Sequence, residues 1–495
     1  MFEREVKLAV DDTFVVPELD DVIPGADLGP VEERTISDTY YDTADLRLAR
    51  WGCTLRFRDG DGWTVKIPLA GTGRVLRRSE ITLGGPPDHP PPPVLALVRP
   101  LTRGEPVAEI ARFTTGRSVR TWRTPNGQDV AELADDRVRV HRPDGTSRSW
   151  RELEAQLADG ADEAVLAAIV KRLEAAGAGD GGAAPKLIQA IGDTARAPAD
   201  VVVPDLPDEP SAGDVIRAAV AQAVTQLLLQ LPAASTGEDI EGVHRARVAT
   251  RRLRSILRTF RPLLDPQWAR SLEEDLRWLA DDLGRIRDAD VLSVRLRATV
   301  GDHPELETAA TARVIGALEQ QRRRASRALL DHLDRRRADR LFELLVGAAA
   351  DPRTLAKAER SATKRLRRLV RRRWHRLERA IDSLDPDPLT DDLHRVRILA
   401  KRARYASEAV IPAVGRPAKR FATSIARLQD HLGELHDAEV AVNWLAELAE
   451  TADGDTAFAA GRLAQAIADE GARFQQGWRV HYEKAARKRS RAWLR

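Results

Sequence analysis

One pattern in the second half of this 495-residue chain constrains the fold more than any other, because it occurs twice. Val243-His244-Arg245-Ala246-Arg247 returns about 150 residues later as Leu393-His394-Arg395-Val396-Arg397. Arg251-Arg252-Leu253-Arg254 returns as Lys401-Arg402-Ala403-Arg404. The stretch from Leu283 to Val291, with Arg287-Asp288-Ala289-Asp290, returns from Leu432 to Val440, with His436-Asp437-Ala438-Glu439. Order and spacing agree between the copies to about one residue, which predicts two homologous helical bundles.

Placed on a helix, Val243, Ala246, Thr250, Leu253, Leu257 and Phe260 form one mostly apolar stripe. His244, Arg247, Arg251, Arg254 and Arg258 form a second stripe ~100° round the axis. The second copy repeats the division: Leu393, Val396, Ala400, Ala403 and Val410 against His394, Arg397, Lys401 and Arg404. A charged stripe is ordinarily a solvated face. Here it is nearly of one sign, duplicated, and headed by His both times. Like charges at i, i+3 and i+4 destabilise a helix, so compensation is expected from Asp281, Asp282, Asp288, Asp290, Asp430, Asp437 and Glu439 as ion pairs. Arginine forks suit a linear polyanion, since each binds phosphate bidentately. The segments Arg322–Arg327, Arg335–Arg340, Lys364–Arg376 and Lys484–Arg495 could extend the basic surface.

The net charge of +3 hides an asymmetry that points the same way. Residues 1–200 hold about 26 basic and 33 acidic side chains; the remainder holds about 53 and 43. A basic half beside an acidic one predicts a polyanionic partner for the basic half. The single cysteine, Cys53, rules out an intrachain disulfide and fits a reducing compartment. Charges from residue 3 onward argue against a signal peptide. Apolar runs such as Val224–Leu231 read as too short to span a bilayer. The expectation is a cytoplasmic protein with no membrane contact.

Residues 212–495 resemble the CHAD family, the conserved-histidine α-helical domain, on the repeated His and Arg/Lys helices. The resemblance implies two pseudo-symmetric four-helix bundles, with repeats near 212–350 and 351–495, whose basic surface binds inorganic polyphosphate. His244, Arg247, Arg251, Arg254, His394, Arg397, Lys401 and Arg404 would inherit that role.

The first part of the chain changes period. Phe2–Val10, Thr54–Arg58, Trp63–Pro68, Leu76–Leu83, Arg117–Thr124, Asp129–Val140 and Ser147–Gln156 read as strands. Asp59-Gly60-Asp61-Gly62, Pro125-Asn126-Gly127 and Pro143-Asp144-Gly145 are turn signals, which predict an antiparallel sheet. Asp162–Ala176 reads as a helix, Pro86–Pro93 as a loop, and Gly177–Ala184 as a flexible connection. Ala195–Pro210, with four prolines, reads as an interdomain linker.

Glu3, Glu5 and Lys7 alternate along a strand and share one face. Arg56 with Arg58, Arg78 with Glu80, and Glu152 with Glu154 do the same on others, and Lys66 lies between. Such alternation ordinarily marks a solvent face. Recurrence in successive strands weakens that reading, and a closed barrel with such inward residues could bind a metal–triphosphate complex. No Walker A sequence and no His/Cys zinc spacing is present.

Glu3-Arg4-Glu5-Val6-Lys7 resembles the ExExK signature of the CYTH family, the triphosphate tunnel enzymes. Tyr40-Tyr41-Asp42-Thr43, Thr54-Leu55-Arg56-Phe57-Arg58, Thr64-Val65-Lys66, Arg78-Ser79-Glu80, Ala131–Asp135 and Glu152-Leu153-Glu154 follow in family order, so the resemblance covers most of residues 1–193. It implies a tunnel of about eight strands in which Lys7, Arg56, Arg58, Lys66, Arg78, Arg117 and Lys186 serve catalysis by binding phosphate. Glu3, Glu5, Glu132, Glu152 and Glu154 would organise Mg²⁺ or Mn²⁺. Gln156 stands where a third acid often follows, and Pro185 where a Ser is usual. Lys7 with a depressed pKa is one candidate general base, metal-bound hydroxide another.

The predicted fold class is therefore α+β in two domains: an antiparallel β-barrel or tunnel over 1–194 with helices, a linker over 195–211, and an all-α domain of two pseudo-repeated four-helix bundles over 212–495. The resemblances imply a metal-dependent inorganic triphosphatase (tripolyphosphate hydrolysis) with a polyphosphate-binding helical domain. A non-catalytic polyphosphate-binding protein targeted to granules is the first alternative, and an adenylate cyclase or thiamine triphosphatase the second. Nucleic acid is disfavoured as a partner, because the basic helices lack interleaved aromatic residues for base stacking.

Overall fold

The computed structural model describes residues 2–68, 76–180, 186–235 and 240–494, with the backbone alone at 2, 3, 76, 77 and 235. Two compact units divide between Asp200 and Val201.

The first unit is built on ten antiparallel strands: β1 (Phe2–Val10), β2 (Asp27–Leu28), β3 (Glu32–Asp42), β4 (Thr54–Arg58), β5 (Gly62–Pro68), β6 (Leu76–Leu83), β7 (Ala108–Arg123), β8 (Asp129–His141), β9 (Ser147–Leu157) and β10 (Gly179–Asp180). Eight are long; β2 and β10 are two-residue additions to β7 and β1. The sheet closes because β1 pairs with both β6 and β9. Its first half, Phe2–Glu5, pairs with β6, and its second, Glu5–Val10, pairs with β9.

Closure explains the alternation in β1. Val6 and Leu8 point outward into a core with Leu133, Leu153 and Leu157, covered by the helix Glu163–Ala175 through Leu166, Ile169 and Leu173. Glu5 and Lys7 point inward and are also buried, each 4 % exposed. Neither face meets bulk solvent, so the polar face of this strand lines an enclosed interior. At the β4–β5 turn Gly62 has φ 90°, and a Cβ there would meet the Leu83 carbonyl oxygen at 2.8 Å, so no other residue fits.

The four helices of this unit are α1 (Arg47–Arg50), α2 (Pro92–Thr102), α3 (Glu163–Ala175) and α4 (Lys186–Ile191). Three features depart from the sequence reading. β3 carries no turn signal of its own and went unread. β7 begins at Ala108, not near Arg117, because its first half pairs with β3 and its charged faces hide the period. The proline-rich segment is a loop as far as Pro91, and only its last two residues, Pro92 and Pro93, open α2, where the missing N–H costs nothing. Two stretches read as flexible are partly ordered. Gly179 and Asp180 pair with β1, while residues 181–185 lie outside the described residues. The start of the proline-rich segment is held by Arg50 and Arg103, which clamp the Asp200 carboxylate at 2.5 and 2.7 Å.

The second unit is all helix: α5 (Ala212–Ser235), α6 (Ile240–Phe260), α7 (Pro266–Asp302), α8 (Ala309–Leu333), α9 (Arg336–Ala350), α10 (Ala362–Asp382), α11 (Thr390–Ala409), α12 (Ile411–Val414), α13 (Arg416–Thr451), α14 (Gly454–Phe474), α15 (Trp478–Ala486) and α16 (Lys488–Arg491). The repeated segments fall on α6 and α11, and then on α7 and α13. Every residue of both apolar stripes is buried. The copies share a core in which α7 and α8 of the first pack Leu292, Leu296 and Leu318 against Leu445, Leu463 and Ile467 of α13 and α14. The residues that open the copies, Ser211 and Ser361, form an antiparallel bridge, which makes α5 and α10 counterparts. Helix α5 corrects the sequence reading on one point. Over Ala212–Ala234 it is long and apolar enough to cross a membrane, and 72 % of that window is buried inside the protein, as in a core helix. The short runs join into one apolar helix because Ala218–Val220 and Ala223 lie on it with Val224–Leu231.

Candidate functional site

Inward residues of β1 and β3–β9, with Lys186 at the start of α4, surround a cavity of about 250 Å³. Lys7, Arg56, Arg58, Lys66, Arg78, Arg117 and Lys186 all line it, as do Glu5, Glu132 and Glu154. Glu152 lies just behind the wall, 2 % exposed. The Glu3 backbone pairs opposite Arg78, and its side chain lies outside the described residues. Gln156 also lines the cavity.

Three acids cluster at the wall: Glu154 lines the cavity, and Asp136 and Glu152 are buried behind it. Among the described residues, Asp136, Glu152 and Glu154 form a group whose carboxylate oxygens all lie within 4.8 Å of one another. Asp136 was not picked out from the sequence, although it follows Glu132 and Ala134 on the same face of β8. Glu132 lies apart, 3.7 Å from Arg34, which is half exposed. The neighbouring Asp135 faces away and pairs with Arg151. The trio's donors are all carboxylate oxygens, a set that suits Mg²⁺ or Mn²⁺.

Cations already compensate these acids. Lys7 Nζ contacts Glu154, Glu152 (3.3 Å) and Glu5 (3.9 Å). Lys186 Nζ contacts Asp136, Glu154 (3.2 Å) and Glu152 (3.4 Å). Arg117 grips Asp136 through Nε (2.7 Å) and Nη2 (2.6 Å) and reaches Glu154 at 2.5 Å. Trp150 Nε1 donates to Glu152 at 2.7 Å. Across the cavity, Arg58 holds Asp38 bidentately at 2.7 and 3.0 Å, Arg56 lies 3.5 Å from Asp38 and 3.7 Å from Glu80, and Lys66 lies 3.4 Å from Glu80. Asp38 and Tyr40, on the inward face of β3, are further wall residues that the sequence reading passed over.

These pairings set the protonation states. Burial by itself would neutralise Lys7, but Glu154, Glu5 and Glu152 outweigh it and hold the ammonium above its ordinary range. Lys7 therefore stays charged at neutral pH, and the expectation of a depressed pKa is overturned: the carboxylates beside it favour its proton. Burial opposes ionisation of Glu154 too, yet Lys186, Lys7 and Arg117 hold its carboxyl well below the usual range. Asp42, in the Tyr-Tyr-Asp-Thr segment, is not in the cavity. Its carboxylate accepts the backbone N–H groups of Thr43, Leu48 and Ala49, tying β3 to α1, and burial pushes it up to about 6.

The helical unit holds a different site. His244, Arg247, Arg251, Arg397, Lys401 and Arg404 line a cavity of about 720 Å³ between α6, α7, α11 and α13. Arg254 lies one turn further along and lines a second cavity. His394 stands behind His436, with the two Nδ1 atoms 3.2 Å apart, and His436 is the one that lines the wall. Arg295, Tyr405 and His436 are wall residues not singled out from the sequence; His436 carried a signal in the second repeated segment. Of the acids expected to compensate, Asp288 pairs with Arg247 (3.1 Å), Asp437 with Arg397 (3.8 Å) and Asp430 with Arg404 (3.7 Å). Asp290 pairs with Arg322 (2.5 Å) and Asp282 with His332 (2.6 Å), both away from the basic stripe.

Compensation is incomplete here. Burial, then Arg251, Arg397 and Arg247, push Lys401 down to about 7. Burial, then Arg397, His394 and Lys401, push His436 down to about 4. Both groups sit in a positive field that an anion would relieve.

Residues 1–180 match the CYTH domain model and residues 218–446 match the CHAD domain model. Over nearly its whole length the chain is similar to an uncharacterized protein, Rv2226, of Mycobacterium tuberculosis strain ATCC 25618 / H37Rv. The two are 29 % identical over 497 aligned residues, covering 94 % of this chain and 93 % of the relative. Among solved structures it is similar to PptA from Streptomyces chartreusis (22 % identity, TM-score 0.46, 55 % of this chain and 99 % of that one). It is also similar to the CHAD domain from the plant Ricinus communis (23 % identity, TM-score 0.48, 58 % of this chain and 96 % of that one). The chain thus joins a region that matches the CYTH domain model to one that matches the CHAD domain model.

Proposed function

We propose that the tunnel domain is a metal-dependent inorganic triphosphatase and that the helical domain holds inorganic polyphosphate. One observation carries the first part: a closed barrel gathers Lys7, Arg56, Arg58, Lys66, Arg78, Arg117 and Lys186 around one small cavity with a buried carboxylate trio at its wall. Arg56, Arg58, Lys66 and Arg78 would bind the phosphate oxygens of the substrate. Lys7, Lys186 and Arg117 would orient the trio and stay protonated as charge builds on the transferred phosphoryl. Asp136, Glu152 and Glu154 would hold Mg²⁺ or Mn²⁺, which when bound supplies charge neutralisation and a water of lowered pKa. Among the described residues Tyr40 is the one aromatic ring in the wall, so a nucleobase or thiazole finds little to stack on. This favours inorganic triphosphate over ATP or thiamine triphosphate.

A second reading, binding without turnover, draws on the ion pairs that saturate the trio: a metal must displace the ammonium of Lys7 or Lys186. Phosphate release from tripolyphosphate by the full chain, with Mg²⁺ or Mn²⁺, separates the two. The hydrolase reading expects metal-dependent release that Arg56→Gln lowers by ~10²-fold and Asp136→Asn lowers at least as far. No release from tripolyphosphate, ATP or thiamine triphosphate across metals and pH would leave polyphosphate binding as the function.

A further inference from the structure

The basic stripe of α6 does not end at the central cavity. Beyond it lies a second cavity of about 470 Å³, lined by Arg254, Arg258 and Arg261 on one side and by Arg373 and Arg376 of α10 and Arg402 of α11 on the other. Arg251, Lys401 and Tyr405 belong to the walls of both cavities and form the partition between them.

The two cavities differ in charge balance. The central one is lined by five carboxylates, those of Asp288, Glu408, Asp430, Glu434 and Asp437. Among the described residues no acid lines the second. Arg258 and Arg261 reach Glu273 outside the lining, and Arg373 donates to the Arg258 carbonyl. Arg251 Nε and Tyr405 Oη at the partition, and Arg254 Nε in the second cavity, are buried and have no hydrogen-bond partner among the described residues. Tyr405 is 7 % exposed and lies under both Arg251 and Arg404, at 5.2 and 5.7 Å from their guanidinium carbons. Buried polar atoms without partners are costly and point to a ligand that satisfies them.

The second cavity is not explained by the repeat. Its α10 wall has no counterpart in the first copy: α10 carries nine Lys and Arg residues, whereas α5 carries Arg217 alone. The duplication supplies the central stripe twice, and only one copy extends it.

We infer that the second cavity is a length-selective extension of the polyphosphate site: one chain, too long to lie in the central cavity alone, passes the Arg251–Lys401–Tyr405 partition and is held again by the α10 arginines. This rests on the reading of the helical domain as a polyphosphate binder. Tripolyphosphate would engage the central cavity, and long chains both.

The test compares the affinities of tripolyphosphate and of long-chain polyphosphate for the full-length protein at fixed salt, without added divalent metal and in an Arg56→Gln/Arg78→Gln background that removes phosphate binding by the tunnel. Arg376 and Arg402 are exposed, and thermal melting checks that their variants fold. Arg376→Gln/Arg402→Gln is expected to weaken long-chain binding by ~10-fold or more and to leave tripolyphosphate within about twofold. Arg247→Gln/Arg397→Gln, in the central cavity, is expected to weaken both. If the first double variant melts early, Arg376→Gln alone carries the same comparison with a smaller loss. Equal losses for both ligands, or no loss for the long chain, would overturn the length assignment while leaving polyphosphate binding intact. A matching loss for a DNA duplex would mark the cavity as a general polyanion surface and overturn it as well. Failure of the unmodified protein to bind either phosphate ligand would instead remove the underlying reading.

Discussion

The tunnel and the helical cavity are both built from arginine and lysine facing an anion-sized space, but they handle that charge in opposite ways. In the tunnel each buried cation has a carboxylate beside it, and the carboxylates win: Lys7, Lys186 and Arg117 are held above their ordinary pKa despite burial. In the helical cavity the balance tips the other way for most of the wall: Arg251, Arg397, Lys401 and His436 are all pushed down by burial and by neighbouring cations, while Arg404 is held up by Glu408. A compensated site is stable while empty and suits chemistry, where a fixed field must be in place before charge develops. An uncompensated site stores repulsion that a polyanion releases, which suits binding.

The largest expected difference between the regions is the effect of removing one charge. Glu154→Ala removes the one carboxylate among the described residues that Lys7, Lys186 and Arg117 all contact. It is expected to destabilise the tunnel domain by ~3–5 kcal/mol, read as earlier urea unfolding with loss of amide protection in β1 and β9. The opposite sign is expected in the helical domain, where Lys401→Met should raise the melting temperature by ~2–4 °C at neutral pH while weakening polyphosphate binding. A destabilised Lys401→Met would erase the contrast.

Proton linkage sharpens it. Lys401 has a folded pKa near 7 against an unfolded value of 10.5, so the unfolded chain binds the extra proton first as pH falls. Stability contributed by this group is therefore lost between about pH 10.5 and 7 and is flat below. A bound polyanion would raise the Lys401 pKa again. Binding at pH 8 should accordingly take up close to one proton, measured by calorimetry in buffers of different ionisation enthalpy, and Lys401→Met should take up none. His436 repeats the pattern lower, between 6.5 and about 4. The smallest effect concerns neither cavity. Asp42→Ala removes the acceptor of three backbone N–H groups and should cost ~1–2 kcal/mol of stability with little change in phosphate affinity. A selective loss of binding would place Asp42 in the site after all.

Most of the helical domain was legible because the α6 and α11 stripes repeat a 3.6-residue period, and every apolar position in them is buried. β8, with turn signals at both ends, was equally plain. β3 and the first half of β7 were not, since they pair with each other across an interval that holds β4–β6, α1 and α2, and they carry charges on both faces. Within the tunnel the alternation of Glu5 with Lys7 and of Arg56 with Arg58 revealed which residues share a face, a local property of any strand.

Sequence alone thus determined which side chains lie together along each strand and helix, because backbone periodicity is local. It could not determine which faces meet across the barrel or across the repeat. That Asp136 joins Glu152 and Glu154, that Lys7 is held charged, and that Arg373 and Arg376 extend the α6 stripe were decided by closure of β1 onto β9 and by packing α10 beside α11. Coulomb energy falls with distance and rises as water is excluded. The chemistry of each charge was therefore set only when tertiary structure fixed its neighbours and its burial.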